Sequence, residues 1–367
     1  MIRIGERLVG RGEPCFVIAE LGTSHLGDLG RARELVDAAA DAGADGVKLQ
    51  LVYADEILPP NAGLVDLPTG RIELYQHFKA LEKDASFYAE IKKYVEARGR
   101  VFLCSAFGVR SARELRDMGV TALKIASPEL NHYPLLQEVS GYRIPLVLSS
   151  GVSTLGDIER ALSVTGTNVV LLHCVTAYPA PEEDYNLKVL GSLHDVLGIE
   201  VGVSDHSLDA TLVPVLAVLD GACTVEKHFT LSKAGAGLDD PVALELKDFR
   251  RMVEGIRRAE ENPGAARAAL CESFGLDRVA KIEGDGVKRL AASEKANYAR
   301  TNRSVHALRD IPKGAVLTQD MVAVLRTEKV LRPGIGPESL SVLMGARTTQ
   351  GIPAGEGVRW EDLMSRA

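Results

Sequence analysis

The sequence predicts an α/β fold, a (β/α)8 barrel of the TIM type, followed by a small C-terminal domain. Short apolar segments alternate with helical segments throughout residues 1–262, and eight such units are the number that closes a barrel. The alternation then stops, and turns rich in Pro and Gly appear after residue 301. We therefore expect a barrel domain in 1–262, a linker in 263–300 and a separate domain in 301–367.

Eight strands are predicted from continuous apolar runs, which are typical of strands buried on both faces of a parallel sheet. The runs cover 16–20, 46–50, 101–106, 122–127, 145–151, 169–174, 200–206 and 223–228.

Helical patterns separate these runs, and several of them end in a glycine placed to cap a helix C-terminus. A doubly wound sheet is the alternative architecture, but the segment ELGTSH after the first run lacks the Gly-rich turn of a dinucleotide fold. The long segment 51–84 interrupts the rhythm, and we predict a loop beside the barrel mouth.

The C-terminal segment contains a weak internal repeat. Residues 310–322 (DIPKGAVLTQDMV) and 351–363 (GIPAGEGVRWEDL) each combine a Pro/Gly turn, a short strand and a helix start. The preceding residues 263–300 show no strand rhythm and are predicted to be a linker with short helical pieces.

Composition excludes several classes of protein. The formal net charge of −7 argues against a nucleic-acid-binding or anionic-membrane-binding protein. The N-terminus lacks the apolar region of a signal peptide, and no apolar run approaches the ~18 residues of a membrane span. We expect a cytoplasmic protein whose five cysteines are reduced core thiols.

Polar residues gather at the ends of the predicted strands, where the chemistry of such barrels is found. Lys48 and Lys124 resemble an anion cradle suited to phosphate when combined with strand-end hydroxyls. Lys48 could instead neutralise Glu20 across the barrel. The hydroxyls belong to Ser105, Ser127, Ser149 and Ser204.

Two histidines end neighbouring predicted strands. His206 and His228 would face the same barrel mouth, and two neutral imidazoles with an oxygen ligand suit Mn²⁺, Zn²⁺, Fe²⁺ or Co²⁺. Each could also be a structural histidine, and His173 is open between core hydrogen bonding and site lining. Glu129 is a candidate acid/base, or a cap of the following helix together with Asn131. A metal, a phosphate cradle and a carboxylate at one barrel mouth indicate a reaction between a phosphoryl-bearing substrate and a carbonyl compound.

The chain resembles the N-acetylneuraminate (sialic acid) synthase family almost from end to end. The resemblance is carried, in order, by IAELGTSHLGDLGRARELVDAAADAGADGVKLQ, LKIASPELNHYPLL, LVLSSGV, LLHCVTAYPAPEEDYNL, GVSDHSLD and VEKHFTL. The tail resembles the antifreeze-like (SAF, β-clip) domain of that family.

The resemblance implies a condensation of phosphoenolpyruvate with the open-chain aldehyde of an N-acylated hexosamine, with loss of phosphate by C–O cleavage. His206 and His228 match the ligands of a divalent cation, expected to be Mn²⁺ with Mg²⁺ or Co²⁺ as alternatives, and Glu129 matches the proposed acid/base. The phosphoenolpyruvate contacts match Lys48, Ser105, Lys124, Ser127, Ser149, Thr176 and Ser204. Residues on the enol, metal-water or sugar side match Glu20, Gln50, Tyr178 and Asp239.

The family also implies a homodimer in which the antifreeze-like domain covers the partner's site and contributes an arginine to the sugar. Arg326 matches this arginine by spacing, and Arg332, which precedes a Pro-Gly pair, is the alternative. A small domain on a long linker is compatible with such an exchange.

Five positions depart from the family pattern. Ser24 replaces the asparagine of Asn-His-x-Gly, Pro128 replaces a glycine before Glu129, Thr176 replaces an asparagine of the phosphate site, and the expected GPDH reads GLDD at 237–240. The acceptor therefore stays open among N-acetylmannosamine, a 2,4-diacetamido-6-deoxyhexose leading to legionaminic or pseudaminic acid, and another surface-polysaccharide sugar. Rival classes are a deoxy-octulosonate or deoxy-heptulosonate phosphate synthase and a non-catalytic scaffold or ice-binding protein.

Overall fold

The computed structural model describes residues 1–67 and 70–363. Eight parallel strands form a closed barrel in which each pairs with the next along the chain and the last pairs with the first. The predicted barrel is confirmed, and the doubly wound alternative is wrong. The barrel strands are β3 (Phe16–Gly22), β4 (Gly46–Leu51), β7 (Val101–Ala106), β8 (Leu123–Ile125), β9 (Leu146–Ser149), β10 (Val169–Cys174), β11 (Glu200–Asp205) and β12 (Thr224–His228).

An antiparallel hairpin closes the N-terminal end of the barrel. Its strands are β1 (Ile2–Ile4) and β2 (Arg7–Val9), and Ile4 packs in one buried cluster with Phe16 and Val170 from the starts of barrel strands. Because this end is plugged by apolar side chains, the opposite end is the one left for a site.

Helices cover the outside of the barrel. Sequence signals define their ends: Thr154 accepts a hydrogen bond from the backbone N–H of Asp157 at the start of one helix, and Gly198, at φ 65°, ends another in the left-handed conformation. The helices are α1 (Leu29–Asp41), α4 (Ala85–Ala97), α5 (Val109–Asp117), α6 (Tyr133–Ser140), α7 (Leu155–Thr165), α8 (Val189–Leu197), α9 (Leu212–Leu219) and α10 (Leu246–Glu261).

The segment after the second barrel strand is structured, whereas the sequence predicted a loop. It contains helix α2 (Ala54–Ile57), a hairpin of β5 (Leu64–Leu67) and β6 (Gly70–Glu73), and helix α3 (Leu74–Leu81). Its short elements bury an apolar cluster of their own. These elements are only four to eight residues long, too short to show the periodic apolar pattern of a regular strand or helix. For this reason the sequence did not reveal them.

Two further helices follow the barrel, α11 (Pro263–Phe274) and α12 (Leu276–Glu283). Leu270, Val279 and Ile282 join the main apolar core, so both helices pack on the barrel. The chain then runs to the C-terminal domain without a long regular element.

The C-terminal domain has its own apolar core and contains β13 (Arg303–Ala307), β14 (Val322–Arg326) and α13 (Leu340–Leu343). The two halves of the internal repeat meet each other. Ile311 of DIPKG and Ile352 of GIPAG form an antiparallel bridge and exchange both backbone hydrogen bonds. The two halves of the repeat thus pair with each other through these equivalent isoleucines, and both side chains are buried.

All five cysteines are unbonded; four are buried, as the sequence predicted, whereas Cys271 is only partly buried and is not a core thiol. Among the helices of the described chain, none combines the length and apolarity needed to cross a membrane.

We expect the stability of the C-terminal domain to fall between pH 6.5 and pH 4. Burial lowers the pKa of His306 to about 4, and its ring contacts Gly355 O, Ser304 Oγ and Thr327 Oγ1. The unfolded chain binds this proton near pH 6.5 and the folded chain does not, so acid favours unfolding by up to about 3 kcal/mol per such histidine.

Chemical denaturation at pH 7 and pH 4.5 measures this effect. His306→Gln should have a smaller loss of unfolding free energy between the two pH values than the native chain. An equal loss in both proteins would contradict the assignment.

Candidate active site

A cavity of about 390 Å³ lies at the C-terminal ends of the barrel strands and is covered partly by the segment after β4 and by the C-terminal domain. The predicted residues that line it together are Glu20, Lys48, Gln50, Ser105, Lys124, Ser127, Ser149, Thr176, Tyr178, Ser204, His206, His228, Asp239 and Arg326. Glu129 and Arg332 are not among its lining residues.

Strand alternation explains how these side chains meet. Along β12, Glu226 and His228 line the cavity, and Lys227 between them points outward to Asp205 of β11, at 2.5 Å. Lys227 Nζ also donates to the backbone oxygen of Ser207. This buried ion pair ties together the two strands that end in His206 and His228.

The floor of the cavity contains two buried lysines. Lys48 Nζ lies 3.2 Å from Glu20 Oε2 and 3.1 Å from Glu226 Oε2, and Lys124 Nζ donates to Ser149 Oγ at 2.6 Å. Ser204 Oγ donates to Glu226 Oε1 at 2.9 Å. Lys48 therefore contacts Glu20, as the alternative prediction of a neutralising ion pair required, and both residues line the cavity.

Burial and neighbouring charges shift the pKa values of the ionisable side chains on this floor, and the direction differs from one residue to the next. Burial raises the pKa of Glu20 to about 7, although Lys48 opposes the shift. Burial acts the same way on Glu226, but Lys124 and Lys48 outweigh it and lower its pKa to about 2. Burial lowers the pKa of Lys124 to about 8. The floor thus holds an ionised Glu226 and a carboxyl group, Glu20, that can exchange a proton near neutral pH.

A narrow cradle adjoins the lysines. Ser127 Oγ accepts a hydrogen bond from the backbone N–H of Gly151, and a Cβ at residue 151 would collide with Thr176 Oγ1 and crowd Cys174. Only glycine leaves this space open, and the hydroxyl groups of Ser127 and Thr176 in the same cavity as the two lysines suit an anion.

The two histidines face each other across the mouth. Their ring centroids are 5.5 Å apart, and Tyr178 lies 4.3 Å from the ring of His206. His206 Nδ1 lies 2.9 Å from Val175 O, so its Nε2 is the nitrogen left for a ligand. Burial and the nearby His206 lower the pKa of His228 well below its usual value, which keeps this imidazole neutral.

Asp239 supplies an oxygen near this pair. Its Oδ2 lies 3.8 Å from His228 Nδ1, and burial raises its pKa to about 6. Among the described residues, no cluster of three or more His, Cys, Asp or Glu has metal-ligating geometry. Two imidazoles with open positions beside them could hold a cation that takes further ligands from water or substrate.

Glu129 is fully buried under the C-terminal domain. Its Oε1 accepts hydrogen bonds from Arg303 (2.8 Å) and from Arg326 (2.7 Å), and Arg326 also lines the cavity. Asn131 does not cap the next helix; His132 does, and Asn131 hydrogen-bonds the backbone N–H and C=O of Arg303. The capping alternative for the Glu129 segment is therefore wrong, and the acid/base role stays a prediction.

Arg332 is occupied elsewhere. Its Nη2 donates to Asp362 Oδ2 at 2.6 Å inside the C-terminal domain. His173 belongs to the core, because its Nε2 lies 2.6 Å from Tyr185 O and it does not line the cavity. Of the two candidate arginines, Arg326 is the one at the cavity.

Comparison with known proteins places the chain in a family. The model of the NeuB family matches residues 35–268, and the model of the SAF domain matches residues 302–364. The chain belongs to the NeuB family. This confirms the resemblance found in the sequence.

Similar proteins extend over almost the whole chain. The N,N'-diacetyllegionaminic acid synthase of Legionella pneumophila is 32% identical, with 96% of each chain covered. The spore coat polysaccharide biosynthesis protein SpsE of Bacillus subtilis matches in structure with a TM-score of 0.84 and 32% identity, covering 100% of this chain and 99% of that one. The N-acetylneuraminic acid synthetase of Leptospira borgpetersenii matches with a TM-score of 0.66 and 29% identity, covering 76% and 97%. This NeuB-family chain is therefore an enzyme.

Two departures from the NeuB pattern contact each other. Ser24 Oγ donates to Asp240 Oδ1 at 2.6 Å, and Asp240 also accepts from the backbone N–H of Gly237. The other three departures, Pro128, Thr176 and Leu238, all line the cavity. The two departing residues at positions 24 and 240 therefore form a hydrogen bond with each other beside Asp239.

Sequence reasoning missed several residues of this NeuB-family site. Glu226 was visible as a strand-end carboxylate but received no role. Glu294, in the segment predicted to be a linker, accepts hydrogen bonds from the backbone N–H groups of Val152 and Thr176, at 2.7 and 2.8 Å. It thereby fixes the loops after two barrel strands beside the cradle, and no local pattern marked it.

Proposed function

We propose that the enzyme condenses phosphoenolpyruvate with the open-chain aldehyde of an N-acylated hexosamine and forms a nonulosonic acid and phosphate. One observation carries the proposal: a single cavity has a buried lysine and hydroxyl floor suited to a small anion and a histidine pair at its mouth. The relatives named as legionaminic acid and N-acetylneuraminic acid synthases support it.

In this proposal Lys48 and Lys124 bind the carboxylate and phosphate of phosphoenolpyruvate. The incoming anion takes over part of the charge that Glu226 neutralises in the free enzyme, and the hydroxyl groups of Ser127 and Thr176 beside Gly151 hold the phosphate oxygens. The enol is thereby fixed with one face toward the histidines.

Carbon 3 of the enol attacks the aldehyde carbon, and water adds to the cationic carbon 2. Glu20 is suited to accept the water proton at its carboxylate, because burial raises its pKa to about 7. Glu20 passes that proton to the alkoxide left by the aldehyde oxygen. The bond between carbon 2 and the phosphate oxygen then breaks, the carbon 2 hydroxyl becomes the ketone, and its proton leaves with the phosphate.

His206 and His228 would hold a divalent cation, proposed to be Mn²⁺ with Mg²⁺ or Co²⁺ as alternatives, which when bound polarises the aldehyde oxygen as a Lewis acid. Gln50 donates to Glu20 at 2.6 Å and keeps this carboxylate oriented. Tyr178 and Asp239 line the same side and are proposed to contact the sugar or its bound water.

The test is phosphate release from phosphoenolpyruvate with Mn²⁺, measured with and without chelator. The acceptors are N-acetylmannosamine, 2,4-diacetamido-2,4,6-trideoxyhexoses and phosphorylated aldoses. Chelator-sensitive release with an unphosphorylated amino sugar would support the proposal. Release only with a phosphorylated aldose would move the enzyme to the deoxy-octulosonate or deoxy-heptulosonate phosphate class, and no release with any acceptor would overturn it.

Lys124→Met should raise the KM for phosphoenolpyruvate by about 100-fold, because a desolvated charge-assisted contact is lost. The KM for the sugar should change little, since the lysine lies on the floor. Steady-state phosphate release measures both values. Lys93→Met, which removes a surface lysine of α4, is the control, and an unchanged KM in Lys124→Met would contradict the proposed anion site.

Glu129→Gln separates two roles. If Glu129 is the acid/base, kcat should fall by roughly 10²- to 10⁴-fold. If it only orients Arg326, the acceptor KM should rise while kcat is retained. Glu159→Gln on the exposed face of α7 is the control. A wild-type kcat would contradict the acid/base prediction.

We also propose a cytoplasmic homodimer with exchanged SAF domains. The single chain described has its SAF domain over its own barrel, with Arg326 at its own Glu129. An exchanged dimer would form the same contacts between subunits. The test is to mix an inactive Arg326 variant with an inactive Lys124 variant. Activity should return only if each active site combines the barrel of one subunit with the SAF domain of the other.

A further inference from the structure

Glu328 is a carboxylate in the cavity wall that the proposed mechanism does not use. It lies on the wall contributed by the C-terminal part of the chain. The lining residues of this wall are Asn297, Thr301, Arg326, Glu328 and Lys329.

The backbone of Glu328 is held in an uncommon conformation. Its φ is +56°, in the left-handed region that a glutamate rarely adopts. Arg300 holds it from two sides: the backbone N–H of Glu328 donates to Arg300 O at 3.3 Å, and Arg300 Nη1 donates to Glu328 O at 2.9 Å. A strained conformation fixed by its surroundings is typical of a residue with a function, because the strain has no benefit for folding.

The residue before it is fixed as well. Thr327 Oγ1 lies 3.1 Å from His306 Nε2 and 3.2 Å from Ser304 Oγ, in the buried core of the SAF domain. Glu328 is therefore presented to the cavity by a rigid support and not by a mobile loop tip.

The side chain has no partner of its own. Glu328 is 7% exposed, and its carboxylate makes no hydrogen bond or ion pair with any residue in 1–67 or 70–363. The two cations beside it are engaged elsewhere, since Arg326 binds Glu129 and Lys329 donates to Asn297 Oδ1. Burial raises the pKa of Glu328, which reflects the cost of leaving this carboxylate without a donor.

We propose that Glu328 determines acceptor specificity by accepting a hydrogen bond from an O–H or N–H of the sugar. The inference rests on the proposed function. The aldehyde end is assigned to the histidine pair on the barrel, so the donor belongs to the part of the sugar chain remote from the aldehyde. A hydroxyl and an acylamino N–H offer the same chemistry at that point.

Glu328→Gln keeps the shape of the side chain and removes its charge. We expect kcat/KM for the preferred acceptor to fall by about 10- to 100-fold, the usual loss of a hydrogen bond to a charged group. The KM for phosphoenolpyruvate should stay within about threefold, because the charged groups that act on Glu328 are Arg326, Lys329, Arg303 and Glu129, and neither lysine of the floor is among them. Glu338→Gln, at an exposed position of the same domain, is the matched control.

Thermal unfolding supplies a second readout that a structural role would not produce. Because the carboxylate is buried and unpartnered, Glu328→Gln should keep or raise the Tm while it impairs the acceptor reaction. A lowered Tm with an unchanged acceptor KM would overturn the proposal.

The acceptor series distinguishes the two kinds of donor. N-acetylmannosamine carries a hydroxyl at carbon 4, and a 2,4-diacetamido-2,4,6-trideoxyhexose carries an N–H there. A loss confined to one of them in Glu328→Gln identifies the donor and supports the proposal. Equal acceptor kinetics in native enzyme and variant overturn this inference alone, whereas no turnover of any acceptor by the native enzyme overturns the proposed function and this inference with it.

Discussion

Replacement of His206 or His228 by alanine is expected to lower turnover by at least about 10³-fold, the scale of a lost Lewis-acid contribution of several kcal/mol. Both rings line the cavity with centroids 5.5 Å apart, and both come from the ends of adjacent strands. Neither substitution removes an apolar core residue, so the barrel should remain folded. Phosphate release measures the turnover, and circular dichroism measures whether the barrel remains folded.

A binding measurement makes the test independent of turnover. Mn²⁺ titration should show one site in the native chain and a strongly weakened site in each variant. His194→Gln on the outer helix α8 is the control, because its Nδ1 contacts only Ile199 O in the described structure and lies outside the cavity. Full metal-dependent activity in both alanine variants would refute the assignment of the pair.

Arg303→Met should destabilise the protein by about 3–5 kcal/mol, the usual cost of breaking a buried ion pair by removing one partner. Arg303 is 2% exposed, and its guanidinium bonds Glu129 Oε1, Phe107 O and Glu56 O. These partners lie on the barrel and on the segment after β4. One side chain of the SAF domain thus satisfies buried acceptors from two other parts of the fold.

Urea denaturation followed by tryptophan fluorescence measures this loss, since Trp360 lies in the SAF domain. The same variant should raise the acceptor KM, because Arg303 helps to hold Glu129, the carboxylate that in turn positions Arg326 at the cavity. Arg309→Met, which removes an exposed arginine paired with Asp320 in the same domain, should change stability by less than about 1 kcal/mol. Comparable losses in the two variants would contradict the role of Arg303.

The sequence by itself determined the barrel and most of the cavity wall. Continuous apolar runs are typical of strands covered on both faces, and the polar residues that end such runs are candidates for the barrel mouth, although Asp205, Lys227 and His173 face elsewhere. Lys48, Lys124, the serines and the two histidines could therefore be assigned to the mouth from their positions at or near predicted strand ends, together with the family resemblance, without any contact information.

Only the tertiary structure decided how the C-terminal half completes the site. The Arg303–Glu129 pair joins residues 174 positions apart, and Glu294 reaches Val152 across 142 positions. Such contacts depend on how the SAF domain docks on the barrel, and no local periodicity encodes a docking geometry. For the same reason Glu129 was assigned from its strand position alone, whereas the structure buries it between two arginines, and Glu328 acquired its exposure to the cavity from a backbone conformation that no sequence pattern marks.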